Sequence, residues 1–110
     1  MTPEWVPDCG DIVWWEFDPQ AGREQAGHRP AVVLSPASYN TKSGLIVCCP
    51  TTTRIKGYPF EVPLDGQPAS VVLSDQVRSL DWRARRAKMK GKVTGGELEA
   101  VREKVRLLVG

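Results

Sequence analysis

Long apolar runs are missing from this chain. A helical membrane span needs about 18 consecutive apolar residues. The longest runs here are segments such as Ala31–Leu34 and Leu45–Cys49, so no membrane association is expected. The opening residues, Met1-Thr2-Pro3-Glu4-Trp5, lack a basic cluster leading into an apolar stretch, and no secretory signal is expected. Cysteine is scarce: Cys9, Cys48 and Cys49 form neither a disulfide framework nor a zinc-ligand spacing. Cys48 and Cys49, adjacent on a strand, would point to opposite faces and read as small apolar residues in a reducing cytoplasm. Histidine occurs once, as His28. HExxH, GxSxG, Walker and CxxC motifs are all absent. The common metal-dependent and nucleophilic hydrolase readings therefore have no support, and neither a metal nor a cofactor is expected.

What is present fits one domain spanning residues 1–110 with an ordinary apolar share of 41%. Net charge is only +2, yet Arg78 to Lys92 holds seven basic residues and one acid, a local +6 that leaves −4 elsewhere. Such a block suits a phosphate-binding surface or, equally on charge alone, a solvated strand and turn.

Strand signals dominate. Asp11–Phe17 is β-rich between Gly10 and Pro19. Ala31–Ser35 and Leu45–Cys49 are continuous apolar runs suited to buried central strands. Between them, Pro36–Gly44 has room for one helical turn around Ser38–Asn40. Phe60–Leu64 alternates, and Pro63 marks it as an edge strand. Ser70–Leu73 reads as a strand running on through Val77, and the end of the basic block as the last strand. Thr94-Gly95-Gly96-Glu97 fits a capping box. Leu98, Val101, Val105 and Leu108 then form one helical stripe. Five to seven short strands followed by a helix make a mainly β fold.

Between the first two strands lies a long loop, Asp18–Pro30, where two residues could have closed a hairpin. It carries Glu24, His28 and Arg29. RNA can be cleaved without a protein nucleophile, because the ribose 2′-hydroxyl attacks the neighbouring phosphate. The protein must then supply a base, a clamp on the crowded phosphate and an acid for the leaving oxygen. Arg29 suits the clamp, since guanidinium binds phosphate oxygens in pairs. Thr52 can donate to the same phosphate, and His28 and Glu24 can move protons, the latter if its pKa is raised. On residue types alone, peripheral roles stay open for each: a surface ion pair for Glu24, a strand-end cap for Arg29, strand chemistry for the threonines.

The strings Gly10-Asp11-Ile12-Val13-Trp14, Glu24-Gln25-Ala26-Gly27-His28-Arg29-Pro30, Pro50-Thr51-Thr52-Thr53, Lys56-Gly57-Tyr58-Pro59-Phe60, Asp75-Gln76-Val77 and Trp82-Arg83-Ala84-Arg85 closely resemble the MazF/PemK family of toxin endoribonucleases. The resemblance covers essentially the whole chain. It implies an SH3-like β-barrel with a C-terminal helix, of the MazF/CcdB type, working as a homodimer. It implies metal-independent cleavage of single-stranded RNA at short motifs, leaving a 2′,3′-cyclic phosphate and a 5′-hydroxyl. It also implies a cognate MazE-like antitoxin whose acidic C-terminal tail covers the RNA site.

The family's catalytic arginine falls on Arg29 and its catalytic threonine on Thr52. Glu24 and His28 match further contributors, although many relatives carry another residue at the histidine position. Gln25, Gly27, Thr53, Lys56, Tyr58, Asp75, Gln76, Arg83 and Arg85 are the expected RNA-binding residues. Trp14, Trp15, Tyr58 and Phe60 are candidate stacking faces. One branch of the family places a catalytic arginine where this chain has Leu73, which weakens a catalytic role for Asp75. Two other functions remain to be separated from the main one. A CcdB-type gyrase poison shares the fold but uses a tryptophan-containing tail, whereas this chain ends Leu107-Leu108-Val109-Gly110. A non-catalytic RNA-binding barrel would bind without turnover.

Overall fold

The computed structural model describes residues 5–16 and 28–110, with the backbone alone at residues 16, 28 and 29. The strands are β1 (Asp11–Glu16), β2 (His28–Val33), β3 (Leu45–Thr52), β4 (Glu61–Leu64), β5 (Ser70–Leu73), β6 (Arg78–Asp81) and β7 (Lys88–Lys92). Helix α1 (Ala37–Ser43) links β2 to β3, and α2 (Gly95–Val109) closes the described chain. The sheet runs β4-β5-β3-β2-β1-β7, with β6 on β3, and every pairing is antiparallel.

Strand β3 organises this sheet. One edge pairs with β2, Ala31 against Pro50 through Val33 against Cys48. The other edge is divided, with Leu45–Cys48 facing β6 and Thr51–Thr52 facing β5. That division lets the sheet curl into a half-barrel with a core on each side. The first core holds Val13, Trp15, Ala31, Val33, Ile46, Cys48, Leu80 and Trp82. The second holds Val32, Cys49, Val62, Val72 and Val101, flanked by Leu98 and Val105. Strands buried on both faces need apolar residues at every position, which is why β2 and β3 read as unbroken runs. Cys48 and Cys49 fall in different cores, as strand alternation requires.

Helix α2 covers the second core. The hydroxyl of Thr94 accepts from Glu97 N (3.0 Å), and the Glu97 carboxylate accepts from Thr94 N (2.8 Å), so the capping box is complete. Leu98, Val101 and Val105 of the expected stripe pack inward, while Leu108 is half exposed. Helix α1 has no side-chain N-cap and is fixed instead by Asn40, which is fully buried. The Asn40 side chain accepts from Ser35 Oγ (2.6 Å) and donates to Pro7 O (2.7 Å), while the Asn40 backbone carbonyl accepts from Trp82 Nε1 (2.9 Å). Gly44 ends α1 in the left-handed region (φ 74°), a conformation that disfavours a Cβ.

Several boundaries differ from the sequence reading, among them the end of β3, which runs through Pro50 to Thr52 rather than stopping at Cys49. Helix α1 extends over Ala37–Ser43 rather than a single turn around Ser38–Asn40, because the Asn40 contacts hold it from outside. The strand from Ser70 stops at Leu73, where Gln76 N donates back to Leu73 O (3.1 Å) and turns the chain away from β3 towards β6. Finally, β2 begins at His28, two residues before Pro30. His28 and Arg29 pair with Glu16 and Trp15 of β1, so the strand takes in both residues that the sequence reading gave to the loop. Pro30, which has no N–H to donate, stands one residue before the pairing with β3 begins.

Candidate nucleic-acid interface

At its C-terminal end β3 pairs with β5 through Thr52 and then leaves the sheet. Residues 53–60 cross to β4 without regular structure, apart from a turn at Pro59–Phe60. Side-chain acceptors, together with two backbone bonds at Tyr58 O and Phe60 O, hold this segment in place of a backbone ladder. At its start the Thr52 hydroxyl oxygen accepts from Arg54 N at 3.1 Å, a side-chain turn that leaves the hydroxyl hydrogen to donate elsewhere. At its end the Glu61 carboxylate takes two backbone donors, Gly57 N at 2.8 Å and Lys56 N at 3.1 Å. Gly57 lies between them in the left-handed region (φ 82°).

This segment and the Leu73–Gln76 turn enclose an open cleft of ≈ 190 Å³, lined by Thr52, Arg54, Lys56, Tyr58, Phe60, Glu61, Leu73, Asp75 and Gln76. It combines two cations, two aromatic rings, a hydroxyl and an amide. Of its two carboxylates, that of Glu61 already faces backbone N–H groups. Tyr58 is 60% exposed, with Lys56 Nζ 5.7 Å from its ring centroid. An exposed ring beside a cation suits a stacked base with its phosphate nearby. Among the described residues, no group of three or more His, Cys, Asp or Glu is placed to hold a metal ion. No described helix is long and apolar enough to cross a membrane.

The cleft gathers five of the expected residues: Thr52, Lys56, Tyr58, Asp75 and Gln76. Thr53 is exposed beside it without lining it. Glu24, Gln25 and Gly27 lie outside the described residues, and His28 and Arg29 are placed by their backbone alone. That placement is informative. Arg29 lies on β2 opposite Trp15 of β1, two residues before the β2–β3 pairing begins with Ala31 opposite Pro50.

Arg83 and Arg85 are not in the cleft. Arg83 Cζ sits 4.4 Å from the Trp82 ring centroid, and Arg85 Cζ 5.5 Å from that of Trp15. Arg78 also approaches Trp15 (6.0 Å), and Lys90 approaches Trp14 (5.2 Å). Much of the basic block is thus laid over tryptophan rings, a favourable arrangement in itself. Of the four candidate stacking aromatics, Trp15 is buried in the first core, Trp14 and Phe60 are half-buried, and Tyr58 stands out. The cleft also takes in Phe60, expected as a stacking face, and three residues not expected there, Arg54, Glu61 and Leu73. The signal for Glu61 was its position as the lone acid closing a Lys-Gly turn, a pattern that the strand alternation of Phe60–Leu64 concealed.

Comparison with known proteins decides the family. Residues 8–109 match the model for the "PemK-like, MazF-like toxin of type II toxin-antitoxin system". The chain belongs to this PemK/MazF toxin family. It is 55% identical to the endoribonuclease toxin MazF of Escherichia coli K12 over 111 aligned residues, covering 100% of both chains. A crystal structure of MazF from Deinococcus radiodurans superposes with a TM-score of 0.85 at 52% identity, covering 97% of this chain and 99% of that one. A MazE–MazF crystal structure from the same organism gives 0.88 at 51% identity, covering 96% and 98%. The curled sheet with its C-terminal helix is therefore the PemK/MazF fold, as the residue strings implied.

Proposed function

We propose that this PemK/MazF family member is a sequence-specific endoribonuclease toxin that cleaves single-stranded RNA. The observation that carries the reading is the hydroxyl of Thr52. It sits on the rim of a cleft with cationic and aromatic lining, its oxygen is turned to Arg54 N, and its hydrogen is left to donate. Arg29, in the neighbouring strand β2, supports the reading as the clamp that the family resemblance assigns to it.

The reaction is an in-line transesterification. The ribose O2′ forms a bond to phosphorus while the bond from phosphorus to O5′ breaks. A proton leaves O2′ and one is delivered to O5′, giving a 2′,3′-cyclic phosphate and a 5′-hydroxyl. Arg29 clamps the non-bridging oxygens, and its rigid fork matches their geometry. Its charge is permanent, so it acts as clamp and donor rather than as base. Thr52 donates to the same phosphate, and Glu24 and His28 supply proton transfer. Lys56 and Tyr58 hold a flanking phosphate and base, and Gln76 and Asp75 offer an amide and a carboxylate to base edges. This scheme calls on no metal and no cofactor.

In the same reading the toxin is a homodimer acting in the cytoplasm. The cleft's cations also receive the acidic tail of a MazE-like antitoxin, so substrate and inhibitor compete. The test is incubation of the purified protein with a long defined RNA in EDTA, followed by mapping of the new 5′ ends. The expected result is discrete ends at one short recurring motif, each bearing a 5′-hydroxyl. Intact RNA would overturn the reading.

A further inference from the structure

Glu61 is the first residue of β4 and lines the cleft, yet its carboxylate is not presented to a ligand. Both oxygens face the protein's own backbone, Oε1 to Gly57 N (2.8 Å) and Oε2 to Lys56 N (3.1 Å). Its own N–H donates to Tyr58 O (3.0 Å). Glu61 therefore holds three consecutive residues, Lys56, Gly57 and Tyr58, from both its side chain and its backbone. No strand supports this part of the chain, since residues 54–58 have no regular structure. The adjacent Phe60 O accepts from Ser74 N (3.0 Å), which ties the closing end of the segment to the far wall of the cleft. Charge-assisted bonds to backbone N–H groups are stronger than neutral ones, so the fixed acid sets the shape of an otherwise unsupported segment.

What that segment carries is the exposed Tyr58 ring and the Lys56 ammonium beside it. A base can stack on a ring with little loss of freedom only if the ring is already in place. We infer that Glu61 is a positioning residue for substrate recognition: by gripping Lys56 and Gly57, its carboxylate pre-organises Tyr58 as the stacking platform for one nucleobase of the RNA. This inference builds on the endoribonuclease reading and adds to it a residue that touches no RNA.

The experiment measures cleavage of a short RNA containing the mapped motif by the wild type, Glu61→Ala, Glu61→Gln, Tyr58→Ala and the double variant Glu61→Ala/Tyr58→Ala. Each variant's thermal melt is recorded alongside. Glu61→Ala is expected to raise KM about tenfold, the order of a lost base–aromatic stack, with kcat within about twofold. Glu61→Gln keeps one accepting oxygen and falls between. The double variant is no worse than Tyr58→Ala, because both changes remove one platform. A scan of abasic substitutions in the RNA gives a second readout on wild type and Glu61→Gln, which does not depend on Glu61→Ala folding. At one position the difference between these two proteins disappears. An unchanged KM in Glu61→Ala overturns the inference, as do additive effects in the double variant or a difference that persists at every abasic position. Wild-type protein inert on RNA overturns the endoribonuclease reading and the inference with it, so the two failures are distinct.

Discussion

Thr52 Oγ1 and Arg54 N lie 3.1 Å apart, with the amide donating to the hydroxyl oxygen. The bond holds the Thr52 side chain and leaves its hydroxyl hydrogen free to donate. Thr52→Ala is expected to lower the single-turnover cleavage rate by about 10² or more, as loss of an oriented transition-state donor does elsewhere. Thr52→Ser, which keeps both the donor and the turn, should stay within about tenfold of wild type. Rate measurements at saturating RNA check this, and a Thr52→Ala rate near wild type would remove Thr52 from the reaction.

Arg29 stands in β2, paired with Trp15, rather than in a loop. A side chain on a strand can be aimed, so a shape-specific role is expected to tolerate no substitute. Arg29→Ala should abolish cleavage. Arg29→Lys should recover little of it, because a point charge cannot reproduce the paired guanidinium geometry. Unaltered circular dichroism in both variants, together with full wild-type activity in EDTA, separates this outcome from misfolding and from metal loss.

Glu97 links acid stability to α2. Burial works against its charged form, but hydrogen bonds from Asp65 N and from the Thr94 backbone outweigh this and lower its pKa below the ordinary value of 4.5. A carboxyl with a depressed folded pKa contributes stability that is present above its unfolded pKa. That stability is lost as the pH falls through the folded value. Glu97→Gln keeps one accepting oxygen but loses the charge and one of the two bonds, so it should lower the melting temperature by a few degrees at pH 7, for a loss of about 1 kcal/mol. The gap to wild type should narrow steadily below pH 4.5. Melting curves from pH 7 down to pH 3 test the sign.

The thiols should differ sharply in reactivity. Burial pushes Cys48 up to about 12 and Cys49 up to about 11, so neither forms thiolate near neutral pH. Cys9 is half-buried and accessible. A thiol reagent at pH 7.5 should label one cysteine quickly in the native protein and all three after denaturation. Fast labelling of two or more in the native state would contradict the two-core packing. Cys48→Ser, placing a hydroxyl in an apolar core, should cost about 1–3 kcal/mol.

The sequence revealed most where one local rule acts alone. The capping box was readable from Thr94 and Glu97, the opposed faces of Cys48 and Cys49 from strand alternation, and the edge position of β4 from Pro63. It revealed less where distant residues decide. Helix α1 outgrew a single turn because Asn40 is held by Pro7 and Trp82, neither of which is near it in the chain. The turn after Leu73 was concealed because Ser74–Val77 carries no glycine or proline to mark a break. Within the site, the residue strings named Thr52, Lys56, Tyr58, Asp75 and Gln76, and the fold brings these five to one cleft. The role of Glu61 in the cleft wall depends on hydrogen bonds to backbone N–H groups, which residue types do not encode.

Strand β3 is bonded to β2, β5 and β6. An amide in its centre, such as that of Cys48, can meet solvent only when several neighbours let go together. Those amides should exchange with deuterium only through global unfolding. Lys56 and Gly57 donate to a single side-chain carboxylate and need only a small local opening. The slowest- and fastest-exchanging parts of this region are thus about eight residues apart on one continuous stretch of chain. The cleft-lining segment can open locally while the frame that holds Thr52 stays closed.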